Sequence, residues 1–93
     1  MGKYSVALSD EARKHLKLWH KSGNKVVIKR IERIIRELEE HPQTGIGKPE
    51  QLKYQMTGLW SRKLDDKNRI VYDIRESEVS VYILSAKGHY TDH

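Results

Sequence analysis

Six aliphatic residues, Val27, Ile28, Ile31, Ile34, Ile35 and Leu38, recur at three- and four-residue spacing. That period predicts a helix with one apolar stripe. Asn24 is placed to cap its start, and His41-Pro42 ends it, because a residue before proline avoids helical geometry. A stripe this long has to be covered. In a chain of 93 residues, a length suited to one compact domain over 1–93, the cover must come from the remaining elements.

Those elements can be read in order. Tyr4, Val6 and Leu8 alternate as in a strand covering residues 3 to 8. Ser9, followed by Asp10 and Glu11, reads as the N-cap of a first helix from about 10 to 22. Ala12, Leu16 and Trp19 form its inner face, and Gly23 supplies a left-handed stop. Two prolines and two glycines between 42 and 49 mark a loop. A short strand near 51 to 54 and strands near 59 to 65, 69 to 75 and 79 to 86 follow. With Asp66-Lys67-Asn68 as a three-residue hairpin loop and Asn68 left-handed, Asp65 faces Arg69, Leu64 faces Ile70 and Trp60 faces Ile74. The expected class is α+β, two helices packed on one face of a small antiparallel sheet.

Charge then limits function. The net charge is +5 and the chain has no cysteine, which points to a polyanionic partner and excludes disulfides and zinc knuckles. No signal peptide or membrane-length apolar run is present, so the expected compartment is the cytoplasm. Lys25, Lys29, Arg33 and Arg36 line one face of the second helix, either as a solvated face with Glu32–Arg36 and Arg33–Glu37 pairs or as a phosphate track. The five histidines, at 15, 20, 41, 89 and 93, lack a ligand spacing, and no metal or other cofactor is expected.

Chemistry concentrates on the sheet face turned away from the helices. Glu50, Lys53, Lys63 and Arg69 fall there or beside it, and Lys87-Gly88-His89-Tyr90 follows the last strand. A carboxylate, a histidine and several cations suffice for RNA cleavage. Glu50 takes the proton of a ribose 2′-hydroxyl, His89 protonates the leaving 5′-oxygen, and Arg69 with Lys53 and Lys63 stabilises the five-coordinate phosphorus. The products are a 2′,3′-cyclic phosphate and a 5′-hydroxyl. Tyr90 stacks on a base or binds phosphate. On the plain alternative Glu50 is a loop carboxylate and Arg69 only pairs with Asp65.

The run Gly45-Ile46-Gly47-Lys48-Pro49-Glu50-Gln51-Leu52-Lys53, with Gly58-Leu59-Trp60-Ser61-Arg62-Lys63, Asn68-Arg69-Ile70-Val71-Tyr72 and His89-Tyr90, resembles the YoeB/Txe toxins of the RelE superfamily. The resemblance implies the microbial-RNase-like fold of that group. It also implies a toxin of a bacterial type II toxin–antitoxin pair, an mRNA interferase that cuts in the ribosomal A site and so inhibits translation. Carried over by position, Glu50 is the general base, Arg69 the transition-state arginine, His89 the general acid, Lys53 a phosphate contact and Tyr90 the tyrosine beside the site. Lys63 departs from the arginine often found there, exchanging a bidentate contact for a point charge. Thr91-Asp92-His93 extend past the usual terminal tyrosine.

Implied partners are an acidic, YefM-like antitoxin, the ribosome with its mRNA, operator DNA through the antitoxin, and a second copy of the chain. Two other readings use the same scaffold. One is a non-catalytic basic module that binds RNA or the ribosome. The other is a gyrase-targeting sister toxin, against which the joint presence of Glu50, Arg69 and His89 speaks.

Overall fold

A computed structural model describes residues 3–88. Strand β1 (Ser5–Leu8) leads into helices α1 (Asp10–Ser22) and α2 (Lys25–Glu40), and then come β2 (Glu50–Gln51), β3 (Trp60–Lys63), β4 (Arg69–Arg75) and β5 (Ser80–Ser85). The helix ends are where the capping residues put them. Ser9 Oγ accepts from Ala12 N at 3.0 Å and Asn24 Oδ1 from Val27 N at 3.1 Å. Gly23 adopts the left-handed cap, and His41 N closes α2 on Glu37 O.

Five strands form one sheet in the order β1-β5-β4-β3-β2. The expected antiparallel sheet is in fact mixed, because β1 runs parallel to β5 with Val6 beside Val81 and Leu8 beside Ile83. Alternation fixes which side chains share a face, but strand direction is chosen by the chain's return path. Here β2 occupies the far edge, and β1 closes the β5 edge through bonds such as Ser9 N to Ile83 O at 2.9 Å.

The core lies between the helices and one sheet face. Trp19, Val27, Ile31, Ile34 and Leu38 pack with Leu64, Ile70, Tyr72, Val81 and Ile83, all buried. At roughly 1.5–3 kcal/mol per fully buried large aliphatic side chain, α2 supplies the greater share of the helical contribution. Trp19 is core as expected, and its Nε1 donates to Ala86 O at 2.7 Å, pinning the end of β5. No helix among the described residues is long and apolar enough to cross a membrane.

The β3–β4 hairpin departs from the expected register by two residues. Lys63 pairs with Arg69, and Trp60 with Tyr72 rather than Ile74. Asp65 does not pair with Arg69. Its carboxylate accepts instead from Lys67 N at 2.8 Å and Asn68 N at 2.7 Å, and Asn68 is not among the residues with positive φ. Those side-chain bonds stabilise a five-residue loop, 64–68, over the three-residue one. A slip of two keeps every residue on its face, so Trp60, Leu64, Ile70 and Ile74 still face the helices. The strand expected near 51–54 is only Glu50–Gln51, because Tyr54–Met56 turn as a short 3-10 helix.

Candidate active site

On β3 the alternation sends Ser61 and Lys63 to the face away from the helices and Arg62 towards them. Glu50 lies opposite Ser61 in the β2–β3 ladder, and Arg69 lies opposite Lys63 in the β3–β4 ladder. These two registers bring three polar side chains together. Arg69 Nη1 donates to Glu50 Oε1 at 2.8 Å and to Ser61 Oγ at 3.2 Å. Arg69 is 18% exposed and Glu50 56%, so the guanidinium sits in the surface while the carboxylate stands in water. The face is not uniformly open, since Ser61 and Val71 on it are buried.

Lys63 is half-buried, and Lys53, just past β2, is exposed. His89 and Tyr90, with Thr91, Asp92 and His93, lie outside the described residues. Gly88, the residue before His89, is anchored at this site: its carbonyl accepts from Arg69 N at 3.0 Å and its N–H donates to Asn68 Oδ1 at 3.0 Å. Among the described residues no three His, Asp or Glu side chains are grouped to hold a metal ion.

Beneath this cluster is a support that the sequence reading missed. Arg62 is fully buried, yet each of its five N–H groups has an acceptor. Nε donates to Tyr72 Oη at 3.1 Å, Nη1 to Glu37 Oε1 at 2.6 Å and Ile46 O at 3.4 Å, and Nη2 to His41 O at 3.1 Å and Thr44 O at 2.7 Å. Tyr72 Oη in turn donates a hydrogen bond to Pro42 O at 2.9 Å. One arginine thereby ties α2, β3 and the 41–46 loop that delivers Glu50. The only sequence signal for it was a cation at an inward-facing position of β3, between Trp60 and Leu64.

Glu37 completes that support. Burial works to raise its pKa, but the Ile46 N–H, the Arg62 and Arg33 guanidinium groups and the charge of Arg62 outweigh it, holding the carboxyl below its ordinary value. Of the four cations expected along α2, Arg33 forms the anticipated pair with Glu37, at 3.2 Å. Gly47 brings the loop against β3: its carbonyl accepts from Lys63 N at 2.7 Å, with φ of 83°. A Cβ there would stand 2.9 Å from Lys63 O, too near for any residue but glycine.

Comparison with known proteins agrees with this architecture. The chain is 38% identical to toxin YoeB of Mycobacterium bovis over 86 residues, which is 92% of this chain and 98% of the relative. It is 42% identical to toxin YoeB of Streptomyces coelicolor over 72 residues, 77% of this chain and 82% of the relative. Among solved structures, a YoeB/ParE toxin from Agrobacterium tumefaciens superposes with a TM-score of 0.84 at 27% identity, covering 92% of this chain and 99% of that one. The YoeB–YefM complex from Staphylococcus aureus matches with a TM-score of 0.77 at 31% identity, covering 94% and 98%. A family model for the YoeB-like toxin of bacterial type II toxin–antitoxin systems matches residues 8–90, and the chain belongs to that family.

Proposed function

We propose that this toxin is an mRNA endoribonuclease acting on the ribosome, and that Glu50, Arg69 and His89 carry the reaction. The observation that carries the reading is the Arg69–Glu50 pair at 2.8 Å on the face away from the helices, with Lys63 opposite Arg69 in the ladder. A base for the 2′-hydroxyl and a cation for the phosphoryl oxygens are thus already side by side.

The steps balance without an added reactant. Glu50 accepts the proton of the 2′-hydroxyl, and O2′ attacks phosphorus. The bond to the 5′-oxygen breaks, and His89 gives that oxygen its proton. Arg69 meets the charge that grows on the non-bridging oxygens, where stabilisation of a transition state is worth most. Lys53 and Lys63 add point charges, and Tyr90 orients a base. Binding of substrate phosphate draws Arg69 away from Glu50, so the ground-state pair serves to hold both groups at the site. Products are a 2′,3′-cyclic phosphate and a 5′-hydroxyl.

Partners follow from the similar proteins. Staphylococcus aureus YoeB has been solved with YefM and as a dimer. We take an acidic YefM-like antitoxin as the inhibitor of this chain, contacting operator DNA on its behalf, and self-association as a second interaction. An excess of five positive charges suits both the antitoxin and the ribosome. The cytoplasm is the compartment where those partners are met.

Primer extension on an mRNA held in a translating ribosome tests the chemistry. The expected result is discrete A-site cuts with cyclic-phosphate ends, lost in Glu50→Gln, Arg69→Ala and His89→Ala. Ribosome binding without cuts in the unaltered protein would replace this reading with that of a non-catalytic module.

A further inference from the structure

A groove of about 620 Å³ opens where the start of α2, the 46–48 loop and the β3–β4 hairpin meet. Its lining combines apolar Val26, Ile46 and Leu64 with cationic Arg30, Lys48 and Lys63. Val26 is 76% exposed, a branched apolar side chain in the first turn of a helix that its packing does not explain. Arg30 stands apart from the solvated cations of α2. It is half-buried, and its Nη1 donates to Lys63 O at 3.4 Å, which draws the guanidinium across to β3. Lys63 is the link, lining this groove and pairing with Arg69 in the ladder.

Carboxylates occupy only the hairpin end. Asp65 accepts from the N–H groups of Lys67 and Asn68, so its charge is directed into the turn, and Asp66 lies beside it. Of the cations, Arg30 stands on α2, Lys48 in the loop and Lys63 at the end of β3. A lining that combines apolar and cationic side chains matches the two parts of a nucleotide, base and phosphate.

We propose that this groove holds the stretch of single-stranded RNA flanking the bond cut at Glu50 and Arg69, with Arg30 and Lys48 contacting its phosphates and Val26 and Ile46 meeting a base. The proposal rests on the nuclease reading above and extends it to residues 26–48. An acidic protein segment is the other polyanion such a groove fits. RNA is favoured because Lys63, which lines the groove, lies opposite Arg69 in the β3–β4 ladder, next to the cluster assigned to the reaction.

The test is fluorescence anisotropy of a labelled 12-nucleotide single-stranded RNA with the Glu50→Gln protein, at several salt concentrations. Arg30→Gln and Lys48→Gln, each added to that background, are expected to weaken binding about tenfold, the worth of one charge-assisted contact. Each should also lower the slope of log affinity against log salt by about 0.7. Lys17→Gln, on the exposed side of α1, changes the same net charge and should shift affinity less than twofold. Arg30→Lys should retain most of the affinity, which separates lost contact from lost fold. Val26→Asp should weaken binding as well.

Equal losses in Lys17→Gln, or none in Arg30→Gln and Lys48→Gln, would overturn the proposal. So would unchanged RNA affinity accompanied by lost affinity for an acidic peptide, which would give the groove to a protein partner. The two readings fail separately. Ribosomal cleavage with RNA binding indifferent to Arg30 and Lys48 sinks the groove alone, and the expected binding losses without cleavage sink the nuclease alone.

Discussion

Arg62 and Glu37 meet at 2.6 Å beneath the candidate active site, the arginine with no exposure and the glutamate with 13%. A buried pair of this kind does little for stability compared with a well-packed apolar substitute, but breaking it strands the remaining charge. Around Arg62 it would also strand the carbonyls of His41, Thr44 and Ile46.

Arg62→Ala should therefore destabilise the protein by about 3–5 kcal/mol. That loss approaches the roughly 5–15 kcal/mol that holds a typical domain folded. Arg62→Lys should recover only part of it, because a compact ammonium cannot reach five separated acceptors. Urea unfolding of the two variants measures this, and similar midpoints for Arg62→Ala and the parent would refute it.

Acid should unfold the protein partly through Glu37. Its folded pKa lies below the ordinary 4.5, so between the two values the unfolded chain binds more protons and stability rises with pH. The contribution is whole above about pH 4.5 and is lost as pH falls through the folded value. Asp65, lowered from 3.8 by the Lys67 and Asn68 bonds that outweigh its desolvation, acts in the same direction at somewhat lower pH. Stability measured from pH 6 to pH 3 should fall less steeply in Glu37→Gln than in the parent.

Gly47→Ala should cost more than Gly23→Ala. Both positions have positive φ, which costs a residue with a Cβ about 1–2 kcal/mol. Nothing lies within 4 Å of a Cβ at Gly23, whereas at Gly47 it would meet Lys63 O and Arg62 Cβ at 2.9 and 3.0 Å. The extra strain falls on the loop leading to Glu50, so Gly47→Ala should also reduce cleavage. Paired thermal unfolding and primer extension distinguish the two glycines.

Arg69→Ala should separate stability from activity. Its partner Glu50 is 56% exposed, and pairs in that setting contribute about 0–1 kcal/mol. Loss of a charge-stabilising donor from a reaction centre costs about 10²–10³ in rate. A variant folded like the parent with cleavage reduced on that scale is the expected outcome; undiminished cleavage would remove Arg69 from the mechanism.

Trp19→Phe should loosen the end of β5. The ring stays apolar, but Ala86 O loses the 2.7 Å bond from Nε1 while remaining buried, at a cost of about 1–3 kcal/mol. Hydrogen exchange at Gly88 N, which is bonded to Asn68, should quicken.

Periodicity and capping residues made both helices legible. The spacing from Val27 to Leu38 determined which side of α2 is buried, and Ser9, Asn24, Gly23 and Pro42 determined where the helices begin and end, because these are local preferences of the backbone. Alternation likewise assigned the helix-facing sides of β3 and β4. Glu50 and Arg69 could be named as candidates from the sequence because their chemistry and the motifs around them are carried by residue type.

Their pairing was a matter for tertiary structure. Asp65 bonding the backbone of its own turn moved the hairpin register by two, which set Lys63 against Arg69, and the path of the chain brought β1 parallel beside β5. Arg62 had no role assigned from the sequence, and its burial became possible only because a loop, a helix and Tyr72 supply acceptors for every N–H it carries. A buried charge is tolerated only when elements distant in sequence converge on it, and spacing along the chain holds no record of that convergence.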